Sequence, residues 1–103
     1  MPKLSEENVL KSLQDLPAWS RSGHEIQKKF AFQSFPLAIA FVNQVATVAE
    51  IMNHHPDITI NYDQVGITLS THSAGGLTQK DFRLAGEIEK IYRQSWPATG
   101  VGA

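Results

Sequence analysis

At 103 residues, with 42% of them hydrophobic, the chain is predicted to form a single domain over 1–103. Its formal net charge of −1 lacks the basic footprint of a nucleic-acid binder. Two Trp and five Phe argue against disorder, and the absence of cysteine excludes disulfides, thiolate catalysis and cysteine-ligated zinc.

The N-terminal MPKLSEEN has no apolar stretch of the kind a secretory signal needs. No apolar run approaches the ~20 residues of a membrane span. The expectation is a soluble cytoplasmic protein with neither a membrane nor a direct nucleic-acid partner.

Ser5 is placed to cap a first helix, with Glu6 and Glu7 favourable in its first turn. Val9, Leu10, Leu13 and Leu16 recur at helical spacing until Pro17 stops the pattern. Trp19 opens a short strand that turns at Ser22-Gly23. Ile26, Phe30 and Phe32 alternate along the next strand, interrupted by Lys28. The doubled base Lys28-Lys29, with Glu25 and Gln27 beside it, reads as a solvated strand face.

Ser34 opens the longest element. Ala38, Phe41, Val42, Val45, Val48, Ala49 and Met52 keep the 3.6-residue period over four turns. Pro56 biases His55 away from helical angles, so this helix should end near Asn53 or His54. Ile58, Ile60 and Tyr62 then share one strand face, and Val65, Ile67 and Leu69 share a face of its partner. A loop with Gly75-Gly76 follows. Thr78 and Asp81 have the spacing of a capping box. The third helix buries Leu84, Ala85, Ile88 and Ile91 or Tyr92, and residues 97–103 are expected to fray. The order α-β-β-α-β-β-α predicts an α+β fold, a four-stranded antiparallel sheet with three helices on one face.

The chemistry is expected where the long helix ends. Helical geometry sets Glu50 and His54 at i and i+4 on one face, away from the apolar stripe. Pairing Tyr62 with Val65 across a two-residue turn places Ile60 opposite Ile67 and Ile58 opposite Leu69. Following that ladder outward pairs Pro56 with Thr71 and His55 with His72. Glu50, Asn53, His54, His55 and His72 would then meet at the open end of the hairpin. Histidine's ordinary pKa of about 6.5 makes both its acid and base forms available near neutral pH.

Three chemistries could use such a cluster. Three His and one Glu suffice in number for zinc, although adjacent His54 and His55 diverge where helical zinc pairs prefer i, i+4. A nucleophilic triad could draw on Thr71 or Ser73 beside His72, but no nucleophile-elbow motif is present. Metal-free acid–base catalysis needs only the residues at hand.

The combination Glu50-x-x-x-His54-His55-Pro56, then Tyr62-x-x-Val65-x-Ile67-x-Leu69-x-Thr71-His72, then Gly76-Leu77-Thr78-x-x-Asp81 resembles the pterin-4a-carbinolamine dehydratase family, from Ser5 to Tyr92. The resemblance implies loss of water from a 4a-hydroxytetrahydropterin to give the quinonoid dihydropterin, recycling the cofactor of aromatic amino acid hydroxylases. It implies no metal and no cofactor. By motif position His54 and His72 would move protons, with His55 also catalytic and holding the pterin. Glu50, Asn53, Trp19 and Asp81 would complete the substrate-binding set. From the residues alone, Trp19 also reads as core filling and Asp81 as a helix cap. Asn53 stands where many members carry Asp, so it brings a hydrogen-bonding group without the charge. The family further suggests a homo-oligomer, dimer or tetramer, and a second role. Some animal members stabilise dimers of a homeodomain transcription factor, so a protein-binding module is the alternative reading, with a His-ligated zinc hydrolase third.

Overall fold

The computed structural model describes residues 2–95; the segment 97–103, expected to fray, lies outside them. Three α-helices and one four-stranded antiparallel sheet follow the expected order: α1 (Glu6–Leu13), β1 (Ser20–Ser22), β2 (Glu25–Ala31), α2 (Phe35–Met52), β3 (Asp57–Asn61), β4 (Gln64–Leu69) and α3 (Gln79–Ser95), with a short 3-10 turn at His72–Ala74 before α3. The spatial strand order is β1-β2-β4-β3.

Local chemistry sets the helix starts. The Ser5 side chain accepts from the Asn8 amide at 3.2 Å and that of Ser34 from the Leu37 amide at 3.3 Å, each satisfying an amide that has no partner inside its helix. Pro36 sits in the first turn of α2, where its missing N–H costs nothing.

One sheet face and the apolar sides of the helices form the core. Ile26, Phe30, Val65, Ile67 and Leu69 pack with Val9, Ala38, Phe41, Val45, Leu84, Ala85 and Ile88. The opposite face, with Gln27, Lys29 and Thr59, is exposed, as the alternation of strand side chains requires. Leu10 departs from the expected stripe: α1 stops at Leu13, and Leu10 lies 57% exposed. Over its 18 residues α2 has a mean hydropathy of 1.5, long and apolar enough on composition alone to cross a membrane; its Ala38, Phe41, Val45 and Ala49 are buried in the core.

Two expectations are corrected. Lys28 is not part of a solvated face. Its Nζ lies 2.5 Å from Glu89 Oε2 and 4.6 Å from the Phe30 ring centroid, because Lys28 shares the covered face with Ile26 and Phe30 and α3 brings a carboxylate to meet it. The β3–β4 register is also two residues away from the expected one. Ile60 faces Val65, Ile58 faces Ile67 and Asn61 faces Gln64, so Tyr62-Asp63 form the turn, with Tyr62 at φ 55°. A shift of two keeps every side chain on its original face.

Candidate active site

α2 ends in a left-handed turn. Asn53 adopts φ 52°, ψ 43°; its amide donates to Glu50 O at 3.1 Å and the next amide, of His54, donates to Ala49 O at 3.0 Å. This pair of bonds is the Schellman closure, with Asn53 as its left-handed residue. Asparagine tolerates that conformation better than any residue but glycine.

The turn takes His54 out of helical phase. Extending the helix would have put it on an outer face beside Glu50. Instead His54 is only 8% exposed, and its Nε2 lies 2.6 Å from Asp81 Oδ1. Asp81 is completely buried. Its other oxygen, Oδ2, accepts from Thr71 Oγ1 at 2.8 Å and from the Thr78 amide at 2.9 Å. One carboxylate thus does two things: it caps the start of α3 and it holds an imidazole from the end of α2. Capping does not account for it fully, and the sequence signal for its second role was its match to the family pattern. It has no exposed surface, and its two oxygens are occupied by His54, Thr71 and the Thr78 amide.

Glu50 pairs with the other histidine. Its Oε2 lies 2.5 Å from His55 Nε2, and both side chains are largely exposed. His72 is also exposed, at the start of the 3-10 turn. It is not opposite His55, because the β3–β4 ladder ends at Asp57 and Thr68. Hydrogen bonds and chain neighbours nonetheless connect the three histidine positions. His72 follows Thr71, Thr71 bonds Asp81, Asp81 bonds His54 and His55 follows His54. Among the described residues, no group of three or more His, Asp or Glu side chains is arranged to hold a metal ion.

Trp19 is 5% exposed. Its indole Nε1 donates to Glu89 Oε2 at 2.9 Å and its ring meets Phe30 edge-on at 6.0 Å, so the core-filling role holds. It also borders a cavity of about 500 Å³ with Asp15, Phe82, Arg83, Gly86 and Glu89, and no histidine lines that cavity.

The fold is thus an α+β sheet covered on one face by helices, with a buried carboxylate, Asp81, holding the His54 imidazole at the end of α2. The family profile described as Pterin 4 alpha carbinolamine dehydratase matches residues 2–91. A protein of Chloroflexus aurantiacus with the provisional name pterin-4-alpha-carbinolamine dehydratase is 50% identical over 91 residues, 88% of this chain and 98% of that one. A Nocardia farcinica protein with the same provisional name is 53% identical over 90 residues, 87% and 95% of the two chains. The crystal structure of a transcriptional coactivator/pterin dehydratase from Brucella melitensis superposes with a TM-score of 0.83 at 33% identity, covering 86% of this chain and 97% of the other. The chain belongs to the pterin-4a-carbinolamine dehydratase family.

Proposed function

We propose that the protein eliminates water from a 4a-hydroxytetrahydropterin, giving the quinonoid dihydropterin, and so recycles a tetrahydropterin cofactor in the cytoplasm. Two proton movements are needed. The C4a hydroxyl departs as water once it receives a proton, and N5 releases a proton as the C4a–N5 double bond forms. Histidines suit both, because imidazole exchanges protons near neutral pH. His54 and His72 are the proposed donor and acceptor. His55, kept in place by Glu50, contacts the pterin, and Asn53 sets the turn that presents the pair.

The observation that carries this reading is the His54–Asp81 contact at 2.6 Å, from a fully buried carboxylate to a ring at the family motif's own position. A solvated helix end would not fix an imidazole in this way. The experiment is to follow disappearance of 4a-hydroxytetrahydropterin with the purified protein and with His54→Ala and His72→Ala. General acid–base groups typically contribute about 10²–10⁴-fold, so each variant should lose activity on that scale. A wild-type rate equal to the uncatalysed background would remove the enzyme reading.

The double description of the Brucella relative supports a second reading, a protein-binding role. Pull-down with active protein would test it: retention of full dehydratase activity with no partner captured speaks against it. A homo-oligomer is part of the proposal too, since β3 is an open edge strand carrying half-exposed Ile60 and such edges invite pairing; size-exclusion chromatography reads it directly.

A further inference from the structure

The hydrogen bonds around Asp81 have a direction. A carboxylate only accepts, so Thr71 Oγ1 and the Thr78 amide donate to Oδ2 and His54 donates from Nε2 to Oδ1. Thr71 has one hydroxyl proton and Asp81 takes it. The 2.9 Å contact between the two threonine hydroxyls therefore runs from Thr78 Oγ1 to Thr71 Oγ1. Thr78 Oγ1 in turn accepts from the Lys80 amide at 3.2 Å. Each of these protons points towards Asp81. Thr71 is 8% exposed and Thr78 and Asp81 are fully buried, so bulk water offers little competition.

The other ring nitrogen is left over. Among the described residues no buried side-chain nitrogen or oxygen lacks a hydrogen-bond partner. His54 Nδ1 makes no such bond, so Nδ1 is the nitrogen that reaches solvent.

We propose that Thr71 and the Thr78 amide are positioning groups that hold Asp81 as an acceptor, fix His54 as its Nε2–H tautomer and leave Nδ1 as the atom that exchanges a proton with the pterin. The last clause rests on the dehydratase reading; the tautomer does not.

Asp81→Asn makes the test sharp. Thr71 Oγ1–H and the Thr78 N–H both require an acceptor, so they keep the side-chain carbonyl of the asparagine. Its NH₂ then faces His54 Nε2, which must accept, and the ring must move its proton to Nδ1. Nitrogen-15 NMR of histidine-labelled protein distinguishes the two tautomers. Spectra at about pH 9, above histidine's ordinary pKa of about 6.5, should show His54 protonated on Nε2 in the wild type and on Nδ1 in Asp81→Asn. A catalytic histidine in the wrong tautomer can lose about 10⁴-fold in kcat. Asp81→Asn should lose at least about 10²-fold in kcat with KM changed much less, and Thr71→Val should lose a smaller part of kcat. A wild-type His54 carrying its proton on Nδ1 would overturn the proposal, and that spectrum needs no variant to fold. A folded Asp81→Asn that keeps Nε2–H, or keeps wild-type kcat, would overturn it as well. If the wild type has no dehydratase activity but the tautomers reverse as described, the reaction assignment fails and the positioning device stands.

Discussion

Tyr92 packs its ring into the aromatic core and carries a titratable hydroxyl at the edge of it. Its ring meets Phe30, Phe32 and Phe41 at centroid distances of 5.0, 5.5 and 5.9 Å, all edge-on, and its hydroxyl donates to the carbonyl oxygen of Ala31 at 2.9 Å. Burial pushes its phenol pKa above the ordinary range, with help from the negative charge of Glu89. A raised pKa means that the folded state holds the proton more tightly than the unfolded chain. The resulting stability is fully present below the unfolded value of about 10 and is lost as pH rises through the folded value. Tyr92→Phe should therefore flatten the alkaline fall in stability. At neutral pH it should cost about 1 kcal/mol for the missing hydrogen bond. Urea unfolding between about pH 8 and pH 11 measures both; an unchanged alkaline slope in the variant would show that Tyr92 is not the titrating group. Asn53 is the other instructive residue at this scale. Its Asn-before-His-His-Pro context announced a helix end, but only its left-handed backbone reveals that His54 turns inward.

Among the elements, the β3–β4 hairpin departs from the register its apolar pattern predicts. Ile58, Ile60, Val65 and Ile67 pair apolar with apolar in both the expected and the observed register, and both keep the same face covered. A period-two pattern cannot separate registers that differ by two. The observed pairing puts Gly66 opposite Thr59, and a Cβ added at Gly66 would lie 2.5 Å from Thr59 Oγ1. Thr59 is β-branched and stiff at χ1, so it cannot easily give way. Gly66→Ala is expected to cost about 1–3 kcal/mol, the range for overpacking. Adding Thr59→Ala should recover most of that, since the clash needs both groups. A double-mutant cycle by denaturant unfolding reads the coupling; additive effects would mean that Gly66 is needed for another reason.

For the whole molecule, the aromatic cluster is the largest single stake. Phe30 is almost fully buried and Phe41 fully buried, with ring centroids 5.0 Å apart, and Trp19, Phe32 and Tyr92 close around them. Phe41→Ala should cost about 3–5 kcal/mol, against a total stability for such domains of about 5–15 kcal/mol. Each kcal/mol moves the Tm of a domain of this size by about 4–8 °C. Thermal unfolding should thus show a fall of at least about 12 °C, or no cooperative transition; a shift of only a few degrees would mean that neighbours collapse into the space.

The order of elements, the cap at Ser5, the start of the long helix at Ser34, the covered sheet face and the His54-His55-Pro56 junction were all legible in the residues, because capping and periodicity act over a few positions of chain. The partners of the charged groups were not. His54 found Asp81 and not Glu50, Glu50 found His55, and Lys28 with Trp19 found Glu89. All but the Glu50 pair span at least 27 residues, and each depends on where α3 lies against α2 and the sheet. Residue types and their spacing identify the side chains capable of proton chemistry. Which imidazole a buried carboxylate holds is set by the packing of α3 against α2, a distance that no local pattern encodes.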